Sequence, residues 1–207
     1  MAASLRLGFL ASHAGSSMRA VVNAIGSGDL EAEAAIVISN NADAEALVFA
    51  RASGVVGVHI SKKTAGSEAE ADRLILGAFE RAGVNLIVLS GYLRMVGPLT
   101  LDRYRNRILN IHPALLPKYG GKGMYGRFVH EAVLAAKEAV SGASIHLVDE
   151  EYDHGPVISQ KTIPVRADET AETLRERVMA IEGELFVETL RQIVARGGVI
   201  SPLDARA

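Results

Sequence analysis

The sequence predicts an α/β fold: an open, mostly parallel twisted sheet with helices on both faces and an antiparallel addition in its C-terminal part. Three observations lead there. Short apolar runs alternate with stretches of helical spacing through the first half of the chain, the pattern of parallel strands joined by helical crossovers. After Pro117 the alternation changes, and two strand-like runs follow each other with only a short polar segment between them. The 207 residues, 49% of them hydrophobic, are enough for one large domain with a full core.

The elements follow in order. Leu5 to Ala11 is an apolar run that breaks at Ser12-His13-Ala14-Gly15-Ser16-Ser17. Met18, Val21, Val22 and Ile25 share one helical face, which ends at Gly26-Ser27-Gly28. Ala34 to Ser39 reads as a second buried strand, Ala44 to Ala52 as a helix, and Val55 to Ile60 as a third strand. Glu68 to Ala82 is helical and closed by Gly83, Val84 to Leu89 is the most hydrophobic strand, and Gly91 to Pro98 is a loop. A short helix around Leu99 to Tyr104 leads to strand Ile108–Ile111. Lys118 to Gly126 contains four glycines and reads as a mobile loop. Phe128 to Lys137 is helical, Ser144 to Val148 and Val157 to Val165 are strands in a hairpin-like or mixed-sheet addition, and Glu169 to Arg196 is a long helix that Glu182-Gly183 interrupts. Without repeats or a linker, residues 1–207 are expected to form one domain.

Composition excludes several classes. A net charge of −2 gives no electrostatic footprint for nucleic acid. The absence of cysteine excludes a disulfide framework, a thiolate metal site and a cysteine nucleophile. Met1-Ala2-Ala3-Ser4-Leu5-Arg6 lacks the apolar core of a secretory leader, and no apolar run reaches membrane-spanning length. A soluble cytoplasmic protein, free of membrane and nucleic acid, is expected.

The chemistry concentrates in Asn110-Ile111-His112-Pro113. In an extended backbone, residues i and i+2 project from one face, so Asn110 and His112 point side by side, and Pro113 stops the strand. An amide that can hold a carbonyl oxygen, beside a group that can be charged near neutral pH, suits acyl-type transfer. Asn and His at a strand end also serve simply as turn and capping residues. Asp153 is a candidate partner for the imidazole. Gly15-Ser16-Ser17 joins the first strand to the first helix, where free N–H groups and the positive helix end favour a phosphate; on the pattern alone, Ser16 or Ser17 as a plain helix cap is the favoured reading.

The string Asn110-Ile111-His112-Pro113-Ala114-Leu115-Leu116-Pro117-Lys118-Tyr119 resembles the signature of the formyltransferases that use 10-formyltetrahydrofolate, with Ala114 in place of the usual Ser. The resemblance runs from Leu5 to about Ile193 and is strongest to the branch acting on glycinamide ribonucleotide. It implies a Rossmann-like formyltransferase fold with a phosphate-binding half, 1–100, and a catalytic and folate-binding half, 101–207. It implies transfer of a formyl group from 10-formyltetrahydrofolate to the amine of 5′-phosphoribosylglycinamide, a step in de novo purine synthesis, with no metal. Asn110 and His112 would stabilise the oxyanion and Asp153 would support His112. Gly15, Ser16 and Ser17 would grip the substrate phosphate, Ser17 standing where relatives carry Asn. Leu93, Arg94, Met95 and Val96, with Asn110, would line the folate pocket. Glu182 would contact the ribonucleotide, although Met179 replaces the Lys or Gln that often assists it and an isolated helical Glu is commonly a surface residue. His146 falls where the family also has a His and reads as a structural or supporting hydrogen-bonder. Asp149, Glu150 and Glu151 read as surface charges, His154 has no assigned role, and Arg127 and His130 could reach substrate.

Sister enzymes share the Asn-x-His…Asp core, so another formyltetrahydrofolate-dependent formyltransferase or a hydrolase is the alternative. The hydrolases add an N-terminal regulatory domain and the methionyl-tRNA formyltransferases a C-terminal RNA-binding barrel, for which this length leaves no room. A non-catalytic nucleotide- or flavin-binding module would account for Gly15-Ser16-Ser17 but leave Asn110, His112 and Asp153 idle. Small-molecule partners are expected; a homodimer is left open.

Overall fold

Seven strands form one sheet in the order β3-β2-β1-β4-β5-β6-β7. The computed structural model describes residues 4–203; Met1 to Ala3, part of the segment read as lacking a leader, lie outside them. β1 (Leu5–Ala11) is the middle one of the five parallel strands, paired with β2 (Ala32–Ser39) and β4 (Leu86–Leu89). β3 (Val56–His59) extends the parallel sheet beyond β2, and β5 (Ile108–His112) extends it beyond β4. β6 (Val140–Leu147) and β7 (Val157–Pro164) then run antiparallel, so the expected addition is a hairpin continuing the same sheet.

Alternation along β1 decides what each face buries. Leu5, Leu7, Phe9 and Ala11 join Val88 and Leu109 in a cluster with Met18, Val21, Leu185 and Phe186. These last four come from α1 (Ser16–Gly26) and α7 (Ala171–Ala195). Leu10, Ile38, Ile87 and Ile108 point the other way, against Ile75 and Phe79 of α4 (Glu68–Arg81) and Tyr104, which follows α5 (Pro98–Arg103). α2 (Glu45–Ala52) and α6 (Arg127–Ala135) complete the first face, contributing Leu47 and Val133.

Three local differences from the expectation have physical reasons. α3 (Lys62–Ala65) is a single turn with a capping box between Ser61 and Thr64, too short to show a period. β6 begins at Val140 rather than Ser144 because Ser141-Gly142-Ala143 is short-chained and pairs closely with β7. A Cβ on Gly142 would sit 2.0 Å from the Lys161 carbonyl oxygen. Finally, α7 runs unbroken through Glu182-Gly183, correcting the expected interruption. Buried Val178, Leu185, Phe186 and Leu190 hold the helix on the sheet. Gly183 lies where α7 meets α1, and a Cβ there would come 2.7 Å from that of Ala20.

Candidate active site

The parallel strands deliver their carboxyl ends to one edge of the sheet. The chain turns to opposite sides after β1 and β4, which are neighbours in the order, and ligands of open α/β sheets bind in the crevice that such a reversal opens. Three segments leave the strands at this edge: Ser12 to Gly15, Ser90 to Gly97 and the chain beyond His112.

Asn110 and His112 share a face of β5, and register adds a third group to them. Asn110 is paired with His146 of β6 and His112 with Ser144. Asn110 Nδ2 is 3.0 Å from His146 Nε2. His146 Nδ1 lies 2.8 Å from the Leu147 carbonyl oxygen, so the Nδ1–H tautomer donates there and leaves Nε2 to accept one amide hydrogen of Asn110. The second hydrogen of that amide remains for another acceptor. Asp153 bridges the two imidazoles, with Oδ2 3.3 Å from His112 Nδ1 and Oδ1 3.5 Å from His146 Nε2. It also accepts the Gly121 N–H at 3.0 Å. The expected trio is therefore brought together, and His146 completes it as a fourth member.

His112 is buried, and both its nitrogens face acceptors: Asp153 at Nδ1 and the Tyr119 carbonyl oxygen, 2.7 Å away, at Nε2. Two acceptors match an imidazolium, which donates from both nitrogens. Burial nevertheless lowers the His112 pKa, against the opposing pull of the Asp153 charge and the Tyr119 carbonyl. Burial would raise the Asp153 carboxyl, but the charge of His112 and the Gly121 N–H hold it below its ordinary value. Tyr119 (φ 57°) and Asp153 (φ 54°) both adopt the left-handed region, uncommon for residues with a side chain. The start of the glycine-rich loop is thus tied to the site by its backbone, and no helix or strand forms from there to Gly126.

At the turn after β1, the expectation of a serine cap is replaced by something else. Gly15 is the N-cap of α1, in the left-handed region (φ 63°), and supplies no side-chain hydrogen bond. Ser17 is buried, Ser16 is exposed, and the third N–H of the helix, from Met18, donates to Ser90 Oγ at 3.0 Å. Across from this turn, Glu182 on α7 is half-buried rather than a surface residue. Burial pushes its carboxyl up to about 7, with Arg175 and the Ser17 hydroxyl pulling the other way. The structure therefore places Glu182 beside the Gly15-Ser16-Ser17 turn.

In the segment after β4, Leu93, Arg94 and Met95 are exposed and Val96 is half-buried against the second core cluster. Leu93 donates its N–H to Ser12 Oγ at 2.8 Å. At the far end, buried Asp72 accepts the N–H groups of Leu99 and Thr100 and the Thr100 hydroxyl. Arg127 is exposed and pairs with Glu131. His130 is buried with Nδ1 unpartnered, and burial, reinforced by the charges of Arg175 and His112, pushes it down to about 4. His154 pairs with Asp149 on the surface at 2.9 Å.

Two features were only partly legible in the sequence. His146 was readable only as a helper, since its contact with Asn110 depends on the β5–β6 register; the Tyr119 and Gly121 contributions are backbone and leave no residue-type signal. Among the described residues, no group of three or more His, Asp or Glu side chains could hold a metal ion. No described helix is long and apolar enough to cross a membrane.

Comparisons with known proteins point to one family. The family profile described as formyl transferase matches residues 5–190. The chain is 35% identical, over 91% of its length, to the chloroplastic phosphoribosylglycinamide formyltransferase of Arabidopsis thaliana, and spans 65% of that protein, just under two thirds. To the phosphoribosylglycinamide formyltransferase of Haemophilus influenzae it is 33% identical over 87% of its length, spanning 83% of the relative. The solved structure of glycinamide ribonucleotide transformylase 1 from Symbiobacterium toebii superposes with a TM-score of 0.87 at 33% identity, covering 98% of this chain and 92% of that one. With sequence motif, sheet topology and near-complete coverage in agreement, this chain belongs to the formyl transferase family.

Proposed function

We propose that this chain transfers the formyl group of 10-formyltetrahydrofolate to the amine of 5′-phosphoribosylglycinamide, in the cytoplasm and without a metal. The observation that carries the reading is the Asn110–His112–His146–Asp153 cluster at the carboxyl edge of β5. The names of the relatives and the phosphate-compatible turn at Gly15-Ser16-Ser17 support the same substrates.

The amine nitrogen attacks the formyl carbon, and negative charge develops on the formyl oxygen. Asn110 has one amide hydrogen to give it, and a charged His112 offers the other donor by exchanging its Tyr119 carbonyl contact for the oxyanion. Asp153 favours the charged imidazole. As the bond from the formyl carbon to N10 of the folate breaks, N10 keeps the electron pair and takes the amine proton, which Asp153 would help to relay through water. With no cysteine in the chain and no Ser–His side-chain hydrogen bond among the described residues, the rate rests on proximity and charge stabilisation. Gly15, Ser16 and Ser17 bind the phosphate, Glu182 meets the ribonucleotide, and Leu93, Arg94, Met95 and Val96 with Asn110 line the folate pocket. Residues 1–207 act as one domain, residues 1–100 holding the phosphate site and 101–207 the catalytic groups.

A spectrophotometric assay of folate deformylation tests the proposal. Product should form only when glycinamide ribonucleotide is added. Deformylation at the same rate with water alone would establish a hydrolase, and no deformylation with either acceptor would remove the enzymatic reading.

A further inference from the structure

The two substrate segments are held by each other's serines. Ser12, at the exit of β1 on the chain leading into Gly15-Ser16-Ser17, accepts the Leu93 N–H at 2.8 Å and donates its own hydrogen to Asn40 Oδ1 at 2.7 Å. Ser90, at the exit of β4 on the chain leading into Leu93–Val96, accepts the Met18 N–H at 3.0 Å. Backbone bonds run the same way across the pair, from Ser12 N–H to the Gly91 oxygen and from Ser90 N–H to the Leu10 oxygen. Both serines are buried, at 3% and 2% exposure, and the Met18–Ser90 bond is buried with them, whereas the Leu93–Ser12 bond is partly buried.

Each bond has a specific consequence. A helix leaves its first N–H groups without partners inside the helix, and an N-cap side chain ordinarily takes the one at the third position. Gly15 has no side chain to offer, and Ser90 takes that N–H from the neighbouring strand. Among the described residues the N–H groups of Ser16 and Ser17 have no hydrogen-bond partner, at a helix end that the Ser90 bond fixes. On the other side, Leu93 is exposed within a segment free of helix or strand, and Ser12 pins its backbone. The Asn40 oxygen accepts the Ser12 hydrogen, which turns the hydroxyl lone pairs toward Leu93.

We infer that Ser12 and Ser90 form a reciprocal brace, in which Ser90 positions the phosphate-binding turn and Ser12 positions the folate-binding segment, so that each substrate's site is set by the residue nearest the other's. The inference rests on the proposed function for the identity of the two ligands, not for the brace itself. Both are positioning residues, since neither touches the reacting atoms.

The test is a crossed pattern. Ser90→Ala should raise KM for glycinamide ribonucleotide by about five- to thirtyfold, the size of one or two lost hydrogen-bond increments, with the folate KM within about twofold. Ser12→Ala should do the reverse. In parallel, amide hydrogen exchange should accelerate at Met18 only in Ser90→Ala and at Leu93 only in Ser12→Ala. Effects on each serine's own segment, or equal effects on both substrates and both amides, would overturn the brace. If the wild-type protein turns over neither substrate, the functional reading fails, and the exchange pattern alone decides: crossed acceleration upholds the brace and uniform acceleration refutes it.

Discussion

Burial and the Asp153 carboxylate pull the charge of His112 in opposite directions, and burial prevails by a margin that the carboxylate narrows. Asp153→Asn keeps the shape and still accepts the Gly121 N–H, but removes the charge that favours the imidazolium. The His112 pKa should fall further, measurable by NMR titration of the ring. Turnover should drop on the order of a hundredfold to a thousandfold, with near-normal binding of both substrates. Unchanged turnover, or an unmoved His112 titration, would separate the carboxylate from the imidazole. A second change probes the other end of the site. Ser16 is exposed at the first position of α1, and Ser16→Asp would set a negative charge against a bound phosphate. KM for the ribonucleotide should rise at least about tenfold while folate-analogue binding, followed by calorimetry, stays within about twofold; equal weakening of both would make the turn structural. At this scale Asn110 and His112 were legible because alternation along a strand is written in the chain. His146 and Glu182 could be named only through the family resemblance, because their environments are made by partners 36 residues away across a sheet and by the α1–α7 contact.

α7 carries two positions whose behaviour follows from that contact. The Glu182 carboxyl sits at about 7 in the folded chain against an ordinary 4.5. Between those values the native state keeps a proton that the unfolded chain has released, so Glu182 makes stability fall as pH rises through this window. Glu182→Gln removes that dependence. Its melting temperature relative to the parent should climb between about pH 5 and 8, and a constant difference across melts at several pH values would show that Glu182 is not buried as described. Gly183→Ala would gain about 1 kcal/mol of helix propensity but press on Ala20, where overpacking costs about 1–3 kcal/mol. Urea denaturation should show net destabilisation, and adding Ala20→Gly should recover most of it. The helical pattern from Glu169 to Arg196 was readable, whereas the glycine inside it signalled a break. A glycine that lets two helices approach is indistinguishable, in sequence, from one that ends a helix. β6 was shortened for a related reason: Ser141-Gly142-Ala143 carries no apolar alternation, and its place in the sheet is decided by β7.

Across the whole molecule, the order β3-β2-β1-β4-β5 brings three chain segments to one edge of the sheet, each from a different strand. The topology was legible because strand–helix alternation leaves few arrangements open, and the antiparallel addition was expected with it; left open was whether β6 and β7 form a hairpin or a mixed pairing, since both suit two adjacent apolar runs. The arrangement brings the candidate phosphate turn, folate segment and imidazole cluster to that edge, and the proposed reading has both substrates bound there together. Direct transfer within that ternary complex is the central claim. Initial rates over a grid of 10-formyltetrahydrofolate and glycinamide ribonucleotide concentrations test it most directly. The account predicts intersecting double-reciprocal lines, the mark of both substrates bound before product leaves. Parallel lines, accompanied by a formylated protein when the folate is supplied alone, would contradict it.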